Sequence, residues 1–183
     1  GVQTCALPIF FIMKTKRFFS VAIVMLLCSL LLMEPISASA ASYGEQNAAR
    51  TAKLYLLSSA FSKKGLIKQL KFEGYTGKEA KYAVNHCGAS WKEQAVKGAK
   101  AYLRSGSFSK KGLIKQLKYE GYTSKEAAYG VKKCGANWKK QAVKSAKAYL
   151  RSSSFSRSGL LNQLIYEGYT RSQAQYGVNK AYK

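Results

Sequence analysis

From Phe61 onward one pattern of apolar and polar positions returns every 47 residues. The phrases FSKKGLIKQLKFEGYTGKEAKYAV, FSKKGLIKQLKYEGYTSKEAAYGV and FSRSGLLNQLIYEGYTRSQAQYGV begin at Phe61, Phe108 and Phe155. In the middle unit, Trp91 to Asn137, the apolar residues keep helical spacing. Trp91, Ala95, Ala99, Tyr102 and Leu103 share one side of a first helix, opened by the capping box Ser90-x-x-Glu93. A second helix starts at the N-cap Ser109, with Phe108 and Leu113 placed for a hydrophobic staple, and carries Leu113, Ile114 and Leu117. Gly121 supplies the left-handed position that ends it. Thr123-x-x-Glu126 opens a third helix, a capping box repeated as Thr76-x-x-Glu79 and Thr170-x-x-Gln173. Its Ala127, Val131 and Cys134 stand four and three apart, and Gly135 closes it. Two helices joined by so tight a Gly turn make a helix-turn-helix-like unit. The fold class is therefore all-α: three tandem repeats of about 47 residues and about nine short helices.

A unit of this length buries little apolar surface alone, so the three are expected to stack and present a repeated outer face. Their boundaries read as 41–90, 91–137 and 138–183. Both outer units depart from the middle one, as end caps of a stack should. Gly44 stands where Trp91 and Trp138 stand, and the truncated third unit has Ala181 in place of Cys87 and Cys134.

Ahead of the repeats, 13–40 reads as a secretory signal. Lys14, Lys16 and Arg17 precede the apolar run Phe18 to Met33, followed by Pro35 and the small-x-small Ala38-Ser39-Ala40. That run is shorter than the ~20 residues a membrane-spanning helix needs. Residues 1–12 are expected to be non-native and upstream sequence: GVQTCALPI resembles the translation of a sequencing-library adapter, leaving Met13 as the start. Cys28 follows Leu26-Leu27 inside the apolar run and is a poor lipidation site, so no lipid anchor is supported. The expectation is export, with release or loose attachment at the cell surface.

Charge narrows the partners. The chain has 31 Lys plus Arg against eight acids, none of them aspartate. After residue 40, 28 basic residues face seven glutamates, a net charge of +21. Polyanions are the expected partners for such a surface: anionic envelope polymers, a membrane surface, an acidic protein face or, less favoured, nucleic acid. The basic positions are ordered. On the first helices they run Arg50 and Lys53, then Lys97, Lys100 and Arg104, then Lys140, Lys144, Lys147 and Arg151, each opposite the apolar side. On the second helices Lys64, Lys68 and Lys71 repeat as Lys111, Lys115 and Lys118, replaced in the third unit by Ser158, Asn162 and Ile165. These stripes are read as a binding surface, with a merely solvated helix face as the alternative.

Most of the 13 tyrosines recur in register. Tyr55, Tyr102 and Tyr149, with Tyr82, Tyr129 and Tyr176, read as packing residues whose hydroxyls reach an edge. Tyr75, Tyr122 and Tyr169, in the tight turn, are the better candidates for exposed contact, with packing at the turn as the favoured reading. Glu73, Glu120 and Glu167 sit at helix C-termini, where a carboxylate is unfavourable, so each implies a compensating partner, a lysine or the N–H groups of the next helix. Cys87 and Cys134 fit two buried thiols or, export permitting, a disulfide. His86 adjoins Cys87, but neighbours on a helix point about 100° apart and make no dyad. With one histidine, no aspartate and scattered glutamates, neither enzyme activity nor a metal, cofactor or small-molecule substrate is expected.

Trp91 through Tyr102, Ser107-Phe108-Ser109, Gly112-Leu113, Gln116-Leu117, Glu120-Gly121-Tyr122-Thr123 and Ala127 through Val131 together resemble the repeats of the host cell surface-exposed lipoprotein (Ltp) family of Gram-positive bacteria and their prophages. The likeness spans nearly all of the chain after Ala41. It implies compact helix-turn-helix-like repeats displayed outside the cell. For prophage-encoded members it also implies superinfection exclusion, in which DNA entry from a second phage is blocked while adsorption continues, through contact with a phage or host surface protein. Lipid anchoring and acid-rich repeats are usual in the family, and this chain departs from both. The function expected is a secreted, surface-associated binding protein of this type, with a cationic binder of anionic envelope polymers or extracellular nucleic acid as the alternative.

Overall fold

The structure, a computed structural model, describes residues 41–183; the adapter-like stretch 1–12 and the signal 13–40 lie outside the described residues. Among the described residues every regular element is helical: α1 (Tyr43–Ser58), α2 (Lys63–Phe72), α3 (Gly77–His86), α4 (Trp91–Ser105), α5 (Lys110–Tyr119), α6 (Ser124–Lys133), α7 (Trp138–Ser152), α8 (Arg157–Tyr166) and α9 (Arg171–Ala181). The three-helix plan read from the middle unit holds in all three.

The caps expected from sequence set the helix starts. Thr76, Thr123 and Thr170 make reciprocal capping boxes at α3, α6 and α9, and Ser42 makes one with Glu45 at α1. Ser90 forms only half of its box. Its side chain accepts from the Glu93 N–H, while the Glu93 carboxylate instead accepts the Tyr129 hydroxyl at 3.1 Å. Gly74, Gly121 and Gly168 end the second helices at φ of 93°, 92° and 91°, a region that costs other residues a Cβ clash. The turn is closed by the Tyr122 N–H donating to the Leu117 carbonyl at 3.1 Å, and alike in the other units.

Within each unit the first and third helices make the broadest contact, and the second lays two leucines across them. Those pairs, Leu66 with Leu70, Leu113 with Leu117 and Leu160 with Leu164, are fully buried. The helices they cover approach through small residues such as Ala48, Ala95 and Ala142.

The expected stacking of the units takes a different form. There are three separate cores, one per unit, with no apolar core shared between them. Adjacent units are tied by a few specific contacts. Trp91 packs on the first core and Trp138 on the second, and Gly44 holds the corresponding place in the first unit. Tyr182 packs on the third core and donates its hydroxyl to the Phe155 carbonyl. The second helices meet end to end: Ser62, the N-cap of α2, donates to the Glu120 carbonyl at the C-terminus of α5 at 2.6 Å. Ser109 of α5 makes the same bond to Glu167 of α8 at 2.6 Å. Positive helix ends thus face negative ones.

Candidate functional site

α4 and α7 bury alanines and point their cations outward, and at the junction of the second and third units these cations meet. Lys100 and Arg104 from the C-terminal half of α4, with Lys140 and Lys144 from the first two turns of α7, line one cleft of about 350 Å³. Its other walls are Leu103, Cys134, Gly135, Ala136, Asn137 and Gln141, so the lining holds four cations and no acid. The equivalent residues at the first junction are Lys53, Leu57, Glu93 and Lys97, which carry two cations and a carboxylate. The second junction is therefore the basic one.

The start of α7 adds to this. α1 and α4 each carry a glutamate in the first turn, Glu45 and Glu93, which suits the positive end of a helix. α7 has Lys139 and Lys140 there and no acid; it is capped by the Asn137 side chain, which accepts from the Lys140 N–H at 3.0 Å. Lys139 turns away, its ammonium 5.5 Å from the centre of the Tyr176 ring.

The second-helix lysines form another cluster. Because α5 runs end to end into α2, Lys118 comes beside Lys64 and Lys68 around a cleft of about 70 Å³, with Gly65, Tyr119, Glu120 and Gly121. Lys71, Lys97, Lys111, Lys115, Lys147 and Arg151 are exposed but border neither cleft. Arg50 and Lys53 are exposed as well and border neither cleft, so the fifteen basic positions read from sequence fall into two clusters and eight separate side chains.

The turn tyrosines pack, and the alternative of exposed contact at Tyr75, Tyr122 and Tyr169 is overturned. Tyr122 and Tyr169 are buried, and Tyr75 is half-buried. The turn tips each ring beneath the first helix of its own unit: the Tyr122 hydroxyl donates to the Gln94 carbonyl at 3.0 Å, Tyr75 pairs with Thr51 and Tyr169 with Ser145. Burial pushes the Tyr169 phenol well above its ordinary range. The exposed aromatics that recur in register are instead Phe72, Tyr119 and Tyr166, one per unit, at 78%, 73% and 86% exposure, with Tyr43 and Tyr176 exposed outside that register. The sequence signal was available. Each stands two residues past the second buried leucine, about 200° around the helix and hence opposite the core.

Glu73, Glu120 and Glu167 find partners, though neither a lysine nor helix N–H groups. Tyr102 donates its hydroxyl to the Glu120 carboxylate, and the Gln116 amide donates to both at 3.1 Å. Tyr55 with Gln69 and Glu73, and Tyr149 with Gln163 and Glu167, repeat the triangle. Burial first, and the carboxylate bond second, push the Tyr55 and Tyr149 phenols up to about 12. Cys87 and Cys134 are free buried thiols, each in a different core, which overturns the disulfide. Among the described residues no group of three His, Cys, Asp or Glu could hold a metal, and no helix is long and apolar enough to cross a membrane.

Three helical repeats with separate cores, tied at their ends and basic on the outside, define a tandem-repeat protein whose distinctive chemistry lies on its surface. The family model for the host cell surface-exposed lipoprotein, Lipoprotein_Ltp, matches three times, at residues 39–87, 90–133 and 137–180. The chain belongs to that family. Among solved structures it is similar to Ltp, a superinfection exclusion protein from the Streptococcus thermophilus temperate phage TP-J34. The two are 30% identical with a TM-score of 0.50, and the match covers 51% of this chain and 98% of that one. No curated protein matches the chain.

Proposed function

We propose that this chain is an exported, surface-associated binding protein of a Gram-positive bacterium or its prophage that blocks entry of DNA from a superinfecting phage. The reading rests on one observation: its repeats are 30% identical to a superinfection exclusion protein over 98% of that protein's chain. Its mode of action is binding, through contact with a phage or host surface protein. The test is a phage challenge of a sensitive host expressing the full chain, with adsorption and DNA entry scored separately. Adsorption is expected to be unchanged and entry to fall. Entry at the level of the empty host, with the protein present at the surface, removes superinfection exclusion.

A second reading, a cationic binder of anionic envelope polymers, is favoured by the cleft at the second junction, where four cations converge with no acid. It locates the protein on the same surface and differs in the partner. Extracellular nucleic acid is the weaker form of this reading, because no aromatic side chain lines that cleft for base stacking.

A further inference from the structure

We infer that the cleft between the second and third units is a site for a polyol-phosphate polymer, gripped by Lys100, Arg104, Lys140 and Lys144; this rests on the second reading above. Converging cations with no carboxylate among them repel one another, and that cost is relieved by a multivalent anion. The planar guanidinium of Arg104 suits bidentate contact with a phosphate, and the three lysines act as point charges around it. Asn137 and Gln141 add side-chain amides on the same wall.

The floor selects among polyanions. Leu103, Cys134 and Ala136 give an apolar base between the charged walls. A backbone that alternates phosphates with short carbon linkers meets both kinds of surface at once. A single-stranded nucleic acid needs aromatic platforms for its bases, and none lines the cleft: Trp138, next in sequence, is turned onto the second core. A polyglutamate chain carries its charges on flexible stems and offers the floor no matching linker. Nor is the cleft a general consequence of the repeat, since its counterpart substitutes Leu57 for Arg104 and Glu93 for Lys140.

That counterpart supplies the test. Arg104→Leu with Lys140→Glu installs the residues the first junction already carries and lowers the net charge by three. Lys71→Ile, Lys111→Ser and Lys115→Asn, at positions bordering neither cleft, lower it by three as well, again with residues the third unit carries at those places, Ile165, Ser158 and Asn162. Both variants of the full chain are compared with the parent for binding to a short poly(glycerol phosphate) oligomer at physiological ionic strength, after circular dichroism verifies equal helix content. The cleft variant is expected to lose about tenfold or more in affinity, the loss of at least one charge-assisted contact, and the matched variant less than about threefold. Equal losses in both overturn the site and leave only net charge. No binding by the parent overturns the second reading itself. Tighter binding of single-stranded DNA or polyglutamate than of the oligomer overturns the choice of polymer. None of these outcomes depends on the phage challenge.

Discussion

The triangle of Tyr102, Gln116 and Glu120 puts a carboxylate where the helix dipole disfavours it and answers it with a phenol from another helix. In the outer copies the phenols of Tyr55 and Tyr149 are held up to about 12 against an ordinary 10.0, so the folded state favours the protonated form. A folded pKa raised above the unfolded one means stability fully present below pH 10 and lost as pH climbs towards about 12. In that window helix content should fall together with the appearance of phenolate absorbance from a late-ionising subset of tyrosines. Ionisation of all the tyrosines with helix content intact would contradict the triangle. From sequence, the recurrence of Glu73, Glu120 and Glu167 was enough to demand a partner, but the donor lies 18 residues back on another helix, beyond any local pattern. The turn tyrosines were open between contact and packing for the opposite reason. A turn position reads as exposed unless one knows that the left-handed glycine before it swings the ring inward.

Helix boundaries were the most legible feature, because caps and stops are local chemistry: Ser62, Ser109 and Ser156, the three threonines and the three glycines act where they stand. What the helix pattern does not reveal is how closely two helices approach. In the middle unit α6 crosses α4 at Gly130, where a Cβ would lie 2.7 Å from the carbonyl carbon and oxygen of Ala95. Gly177 meets Ala142 in the same way at 2.8 Å, whereas the first unit has Ala83 at this place and buries it fully. The contact is with backbone and cannot be relieved by a rotamer change. Gly130→Ala must push α4 and α6 apart, opening space around Leu113 and Leu117, and is expected to destabilise the protein by about 1–3 kcal/mol. Urea unfolding should show a lower midpoint. An unchanged or higher midpoint would mean that the pair accommodates an alanine here without cost, as the first unit accommodates Ala83.

At the scale of the whole molecule, the 47-residue period foretold repetition, and the family model matches three times along it. The cores nevertheless stay separate, because α2, α5 and α8 meet end to end and each unit's leucines are consumed within it. Cohesion between units then depends on a handful of ties: a tryptophan on each preceding core, a serine at each helix joint, Gln94 and Gln141 accepting from the Phe61 and Phe108 N–H groups at 3.4 Å, and Ser145 donating to Ser107 at 2.9 Å; the period alone cannot distinguish that from a continuous stack. The serines allow the joint to be weighed, since each has two jobs that can be separated. Ser109 caps α5 by accepting the Gly112 N–H at 2.9 Å and also donates to the Glu167 carbonyl of the next unit. Ser156 caps α8 by accepting the Gly159 N–H at 3.0 Å, and its hydroxyl otherwise pairs with Ser158 in the same unit. Ser156→Ala should therefore cost about 1 kcal/mol, the worth of a cap. Ser109→Ala should cost about 1 kcal/mol more, because it also strands a carbonyl at the joint. Hydrogen exchange should place that extra loss at the ends of α5 and α8. If the two substitutions cost the same by urea unfolding, the joint bond adds nothing to cohesion, and the tryptophans with the Gln94, Gln141 and Ser145 bonds must hold the units together.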